Sequence, residues 1–209
     1  MRAATFFKSF AVIAALVAGQ AHAAAIELIN NGSFESIDGH TTLASGQWNI
    51  YNSITGWSGI GHGIEVRNNV AGSAFDGKYF VELDTTANSA MQQSITTAAG
   101  KNYTLSFAFE NRPGVALKSE GIEVFWNGVS QGVYNDSTNW KTVTLNVKGI
   151  AGSSLLKFAA VGTSDSYGTS LDKVSLVAAP VPEPETYAML LAGLAMVGVV
   201  ARRRKAAQA

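Results

Sequence analysis

The chain has 209 residues, no cysteine and a formal net charge of zero at pH 7, which suits one ordinary domain whose stability owes nothing to disulfides. The zero hides a segregation, because residues 24–179 hold 9 basic against 13 acidic side chains and the other basic residues sit near the two ends. A mildly acidic body without a basic cluster excludes nucleic acid as a partner, since neutralising phosphates supplies most of that affinity.

The chain opens on Met1 to Ala23, where basic Arg2 and Lys8 accompany an apolar stretch from Phe10 to Val17 and the small-residue run Ala21-His22-Ala23. That order is a secretory signal peptide. Cleavage is expected after Ala23, with Ala25 as the alternative, so Ala21 and Ala23 are the cleavage-site residues. The folded domain is then residues 24–179. A helical period is almost absent from it. Short alternating runs rich in Val, Ile, Thr, Phe and Tyr recur between Gly, Asn, Ser and Asp, the pattern of an all-β sandwich or barrel.

The stretch from Ile37 to Gly63 is the least regular, with Gly46, Gly56, Gly59, Gly61 and Gly63 around Trp48, Tyr51 and Trp57. Such a connection is a reasonable ligand surface on a rigid scaffold, although Trp57 reads better as a plug of the core. Strands follow at Tyr79, Val81 and Leu83 and along Lys101 to Glu110. In the latter, Tyr103, Leu105, Phe107 and Phe109 share a dry face while Thr104, Ser106 and Glu110 share a wet one. Ile122, Val124 and Trp126, then Val143, Leu145 and Val147, then Leu156, Phe158 and Ala160 repeat the alternation. Turns separate them at Ala99-Gly100-Lys101, Asn127-Gly128 and Lys148-Gly149-Ile150, the Asn-Gly pair being the best hairpin signal. About ten strands are expected, enough for two packed sheets.

Reactive chemistry is thin. His40 and His62 have no neighbouring Cys or His at metal-ligand spacing, and no serine lies in a Gly-x-Ser-x-Gly elbow. Glu65 with Glu82, or Glu110 with Glu123, are carboxylate pairs of the kind that flank a glycosidic bond, but charges on the wet face of a sandwich account for them more simply. An enzyme is therefore not expected. Sugar binding asks less, since rings stack on exposed aromatics while polar neighbours bond the hydroxyls. Trp48, Tyr51 and Tyr134, with Trp140 and Tyr167, sit in polar or Gly-rich surroundings. Asn111 and Arg112 precede Pro113-Gly114 at a strand end, where they can supply hydrogen bonds. These five, Trp48, Tyr51, Asn111, Arg112 and Tyr134, are the ligand-binding candidates.

After the last strand comes Val181-Pro182-Glu183-Pro184, then an apolar run without charges from Tyr187 to Ala201, then Arg202, Arg203, Arg204 and Lys205. As a helix the run of 15 residues rises roughly 22 Å, short of a hydrocarbon core of about 30 Å. Cations that snorkel and a bilayer that thins make up the difference. The positive-inside rule keeps the cations cytoplasmic and leaves the Pro-Glu-Pro segment just outside the membrane. There the prolines hold an extended, accessible peptide.

In order, spacing and position this tail resembles the PEP-CTERM sorting signal of Gram-negative bacteria that export proteins toward an exopolysaccharide or biofilm matrix. The resemblance implies an exosortase as partner, cutting near Glu183 to Glu185, with transient anchoring in the inner membrane through residues 187–201 and then release to the surface or matrix. The body has its own resemblance. Asn30-Asn31-Gly32-Ser33-Phe34-Glu35, Gly56-Trp57, Gly77 to Asp84, Gly100 to Phe107 and Leu171 to Leu176, in that order, are similar to the galactose-binding-like jelly rolls of carbohydrate-binding modules. That implies a jelly-roll β-sandwich flanked by a signal peptide and a single transmembrane sorting helix, with polysaccharide as partner. It also implies a structural calcium held by Glu35 and Asp172, which joins the first and last strands. Asp172 shares parity with inward Val174 and Leu176, and the plain alternative is that both carboxylates bond nearby amides. A passive, protein-binding matrix component is the alternative function.

Overall fold

The computed structural model describes residues 25–179, together with 189, 191–199 and 203. The signal peptide with Ala21 and Ala23, the Val181-Pro182-Glu183-Pro184 segment, Arg202 and Arg204 lie outside the described residues. Residues 191–199 are helical. Among the described residues no helix is long and apolar enough to cross a membrane.

The body is a sandwich of two antiparallel sheets with six strands each, against the ten or so read from the alternation. The first sheet runs β1 (Gln47–Tyr51), β4 (Ile64–Asn68), β5 (Phe80–Glu82), β12 (Ser170–Ala178), β7 (Asn102–Glu110) and β10 (Lys141–Lys148). The second runs β2 (Ser53–Ile54), β3 (Trp57–Ile60), β6 (Ala90–Thr97), β11 (Gly152–Ala160), β8 (Ile122–Trp126) and β9 (Val129–Tyr134). Of the short strands, β2 with two residues is too brief for alternation to register, whereas β5 with three falls within the Tyr79, Val81 and Leu83 run read as a strand.

Alternation seats the core. Leu105, Phe107 and Phe109 of β7 face Leu156 and Phe158 of β11 across the interior, where Phe107 meets Phe158 edge-on at 5.3 Å between ring centroids. Trp57 is buried there too, and its indole donates to the Asn31 carbonyl at 3.1 Å, the core role read from the sequence. Asn127 and Gly128 both have positive φ, 51° and 79°. They close the β8–β9 hairpin with the primed turn whose twist matches its strands.

One parity argument is overturned. The register of β12 against β7 shifts between Asp172 and Ser175, around Lys173 at φ 47°. The bulge inserts a residue, and a one-residue slip exchanges the faces of a strand. Val174 and Leu176 therefore point into the core while Asp172, opposite Ala108, points to the outer face of the first sheet.

Around β4, β5 and the start of β12 that outer face is not wet, against the expectation for its charges, while Thr142, Thr144 and Asn146 of β10 stay exposed on it. Cross-strand pairing lines up Glu65, Glu82, Ser170 and Glu110, and beside them Arg67 and Phe80. Trp140 covers part of the row, edge-on to Phe80 and tilted on Phe75, with its indole donating to Ser73 at 2.9 Å. Glu65, Arg67 and Glu82 are buried as an ion network in which Arg67 bridges Glu65 at 2.6 Å and Glu82 at 2.5 Å.

The strands define two poles. β7 ends and β12 begins at the pole of the Asn111–Ser119 loop, and Asn111 N–H donates to Ser137 there. β12 ends at the opposite pole, where Ala179 N–H donates to Asn102 and Gly100 N–H to Gly149.

Candidate functional site

The first pole gathers the chemistry. Pro113 and Gly114, at φ 78° for the glycine, turn the chain after β7 into a ridge that ends in the 3₁₀ turn Leu117–Ser119. A depression of about 590 Å³ lies on one side, lined by Asn111, Arg112, Leu117, Asn135, Asp136 and Thr138 among others. On the other side a second, of about 510 Å³, includes Arg112, Lys118, Asp165 and Tyr167. Arg112 belongs to both.

Arg112 is held at both its backbone and its guanidinium. Its backbone N–H donates to Glu120 Oε1 at 2.9 Å, and Glu120 Oε2 accepts from Thr169 at 2.7 Å. Its guanidinium carbon lies 4.7 Å from the Tyr167 ring centroid, and Nη1 sits 3.5 Å from Glu82 Oε2. Tyr167 is 47% exposed. Buried Asp84 steadies its loop, because Oδ2 accepts the amides of Asp165 at 3.0 Å and Tyr167 at 3.3 Å. The result is an exposed ring stacked on a fixed cation, with Asn111, Asp136 and Asp165 close by. A stacked aromatic beside fixed polar groups is what a hydroxylated ring recognises.

Beneath Arg112 the electrostatics are tense. Burial pushes Glu82 up to about 8, opposed by Arg67, reinforced by Glu65 and opposed again by Arg112. Burial also raises Glu120, against its bonds from Thr169 and Arg112. Glu65 and Glu82 thus serve a buried ion network rather than flanking open space.

The sequence candidates do not all converge. Asn111 and Arg112 come together at the pole, with Asn111 Nδ2 donating to Asn135 O at 2.7 Å. Tyr134 adjoins Asn135 but turns its ring onto Phe107 and Phe109 at 5.2 and 5.8 Å. Trp48 is 52% exposed on β1, an edge of the first sheet away from β7. Tyr51 is buried, its ring 4.2 Å from that of His40. Tyr167, named among the aromatics but not among the binding candidates, is the one that pairs with Arg112. Its partner Asp84 is 83 residues away, so no local signal links them.

Glu35 and Asp172 meet on one loop. Glu35 Oε1 accepts the amides of Lys78 and Tyr79, both at 2.7 Å. Asp172 Oδ2 accepts those of Phe75 and Asp76 at 2.8 and 2.9 Å, and Oδ1 that of Lys173 at 2.6 Å. Burial nevertheless raises Asp172 to about 7, with those amides pulling it down and nearby Asp76 pushing it up. Among the described residues no three His, Cys, Asp or Glu side chains group to hold a metal. Two carboxylates from the first and last segments therefore fit an ion only if backbone and water oxygens supply the rest of its shell.

No curated protein matches the sequence. Solved structures similar in strand arrangement include a family 35 carbohydrate-binding module from Clostridium thermocellum, at TM-score 0.42 and 13% identity, covering 63% of this chain and 92% of that one. A family 35 module from an environmental isolate gives 0.43 and 20%, covering 65% and 99%. TmCBM61 in complex with beta-1,4-galactotriose gives 0.46 and 16%, covering 74% and 99%. At the other end of the chain, residues 180–205 match the PEP-CTERM protein-sorting motif.

Proposed function

We propose that this is an exported surface or matrix protein, anchored for a time in the inner membrane through residues 187–201, trimmed by exosortase near Glu183 to Glu185, and bound to polysaccharide without catalysis through the pole around Arg112. The sorting motif at residues 180–205 supports the destination. The single observation that supports binding is the exposed Tyr167 ring stacked on the immobilised Arg112 between two depressions. Preorganisation matters because a site whose groups are already fixed loses little entropy when it binds.

The protein recovered from the extracellular fraction should be retained on the exopolysaccharide of the producing cell. Tyr167→Ala is expected to weaken retention roughly tenfold, the scale of one lost stacking contact, and Arg112→Ala at least as much. Trp48→Ala should leave it unchanged. Retention no better than that of an unrelated exported domain would remove the binding claim.

A second reading, a passive matrix component whose partners are proteins, draws on the separation of Trp48, Tyr51 and Tyr134, which form no common exposed face. It gains if all glycan retention is absent while the protein still enters the matrix. Structural calcium belongs to the proposal as an ion on Glu35 and Asp172, completed by backbone oxygens.

A further inference from the structure

We propose that the pole from which the tail departs rests on the headgroups of the membrane the tail enters, so that the Arg112 pole faces outward while the protein is still anchored. The inference rests on the anchoring in the preceding reading and adds an orientation to it.

Chain length makes the first argument. Ala179 is bonded to Asn102 at the end of β12, and residues 180–186 are all that separate it from the apolar run. Fully extended, those residues reach at most about 25 Å. β12 itself has 9 residues, which span about 30 Å, and the Asn111–Ser119 loop lies at its far end. A tether shorter than the body cannot let the sandwich turn over and touch the membrane with its Arg112 pole.

Composition makes the second argument. Three turns build the tail pole, around Gly100, Gly128 and Gly149. Their strands converge there through Gly152 opposite Thr97, Val147 opposite Tyr103, and the Trp126 indole donating to Lys148 O at 2.6 Å. Residues 97–103, 126–129 and 147–153 contain Lys101 and Lys148 and no Asp or Glu. Both lysines are exposed, and so are Ile150 at 48% and Val129 at 64%. Glu27, which pairs with Val177 nearby, spends Oε1 on the amides of Leu28, Ile29 and Leu176 and Oε2 on the Ser175 hydroxyl. The Arg112 pole also exposes Lys118, Lys141 and Leu117, but it adds the exposed carboxylates Asp165 and Asp136, the latter 2.8 Å from Lys141, so its charge is mixed where the three turns of the tail pole carry cations alone. Cations with exposed aliphatic side chains suit a headgroup layer, and carboxylates do not.

The absence of cysteine gives a clean test. Asn139→Cys places one thiol at the Arg112 pole and Ala151→Cys one at the tail pole, both at exposed positions. Each full-length variant is treated with a bulky, membrane-impermeant maleimide in spheroplasts, before and after proteolytic release. Asn139→Cys should label equally fast in both states. Ala151→Cys should label several-fold more slowly while anchored and recover on release. Adding Lys101→Glu and Lys148→Glu should restore fast labelling of Ala151→Cys in the anchored state and leave Asn139→Cys as it was. Equal rates at both poles in a chain that sediments with membranes would overturn the orientation alone. A chain that never sediments with membranes would overturn the anchoring, and the orientation with it.

Discussion

Glu82 is a carboxylate on a sheet face that alternation marks as wet, yet it is 0% exposed. Its nearest counter-charge, Arg67, is shared with Glu65, and Arg112 stands farther off at 3.5 Å. The folded state therefore keeps the proton of Glu82 from its ordinary 4.5 up to about 8. Over that window the unfolded chain has released the proton while the native chain has not, so stability is fully present below the lower value and is lost as pH rises through the upper one. Asp172 behaves alike between 3.8 and about 7. The urea midpoint should fall from about pH 5 to about pH 8. The part of the fall above the Asp172 window should vanish in Glu82→Gln. A midpoint that climbs across the range would contradict both raised values.

Elements are tied together where the first segment meets the last strand. Val174 N–H donates to Gly32 O at 2.9 Å, and a methyl group on Gly32 would overlap the Val174 carbonyl oxygen. Gly32→Ala should therefore cost about 3 kcal/mol, a backbone clash that no rotamer relieves, read as a lower melting temperature. Glu35 closes the same junction from outside by holding the amides of Lys78 and Tyr79. Its removal should cost about 1.5–3 kcal/mol, as for hydrogen bonds to a charged acceptor. Calcium separates the two roles of Glu35. If an ion joins Glu35 and Asp172, millimolar calcium should raise the melting temperature of the native chain, EDTA should reverse it, and Glu35→Ala should show neither effect. An unchanged melt on adding calcium would leave the carboxylates as amide acceptors only.

At the scale of the whole molecule a two-sheet sandwich is followed by a sorting motif at residues 180–205. Mass spectrometry of the extracellular form should find a start at residue 24 or 26 and an end between Glu183 and Glu185. An intact chain still carrying Arg203 outside the cell would contradict the trimming. At this scale the sequence by itself determined the class of fold and the address. Period-two alternation is a local consequence of the strand pleat, and the sorting motif is a short continuous run at residues 180–205, so both are written in neighbouring residues. The place of Asn111 and Arg112 at the end of β7 was legible for the same reason, as polar residues where a strong strand meets Pro113-Gly114. Only the tertiary structure decided that Tyr167 rather than Tyr51 or Tyr134 joins them. It also decided that Asp172 lies on the outer face and that Glu82 is buried under Arg112. Those outcomes depend on a bulge that adds one residue to β12, on loops that cover a sheet face, and on Asp84 reaching across the chain to Tyr167. Each is a contact between distant segments, and no alternation within a strand records it.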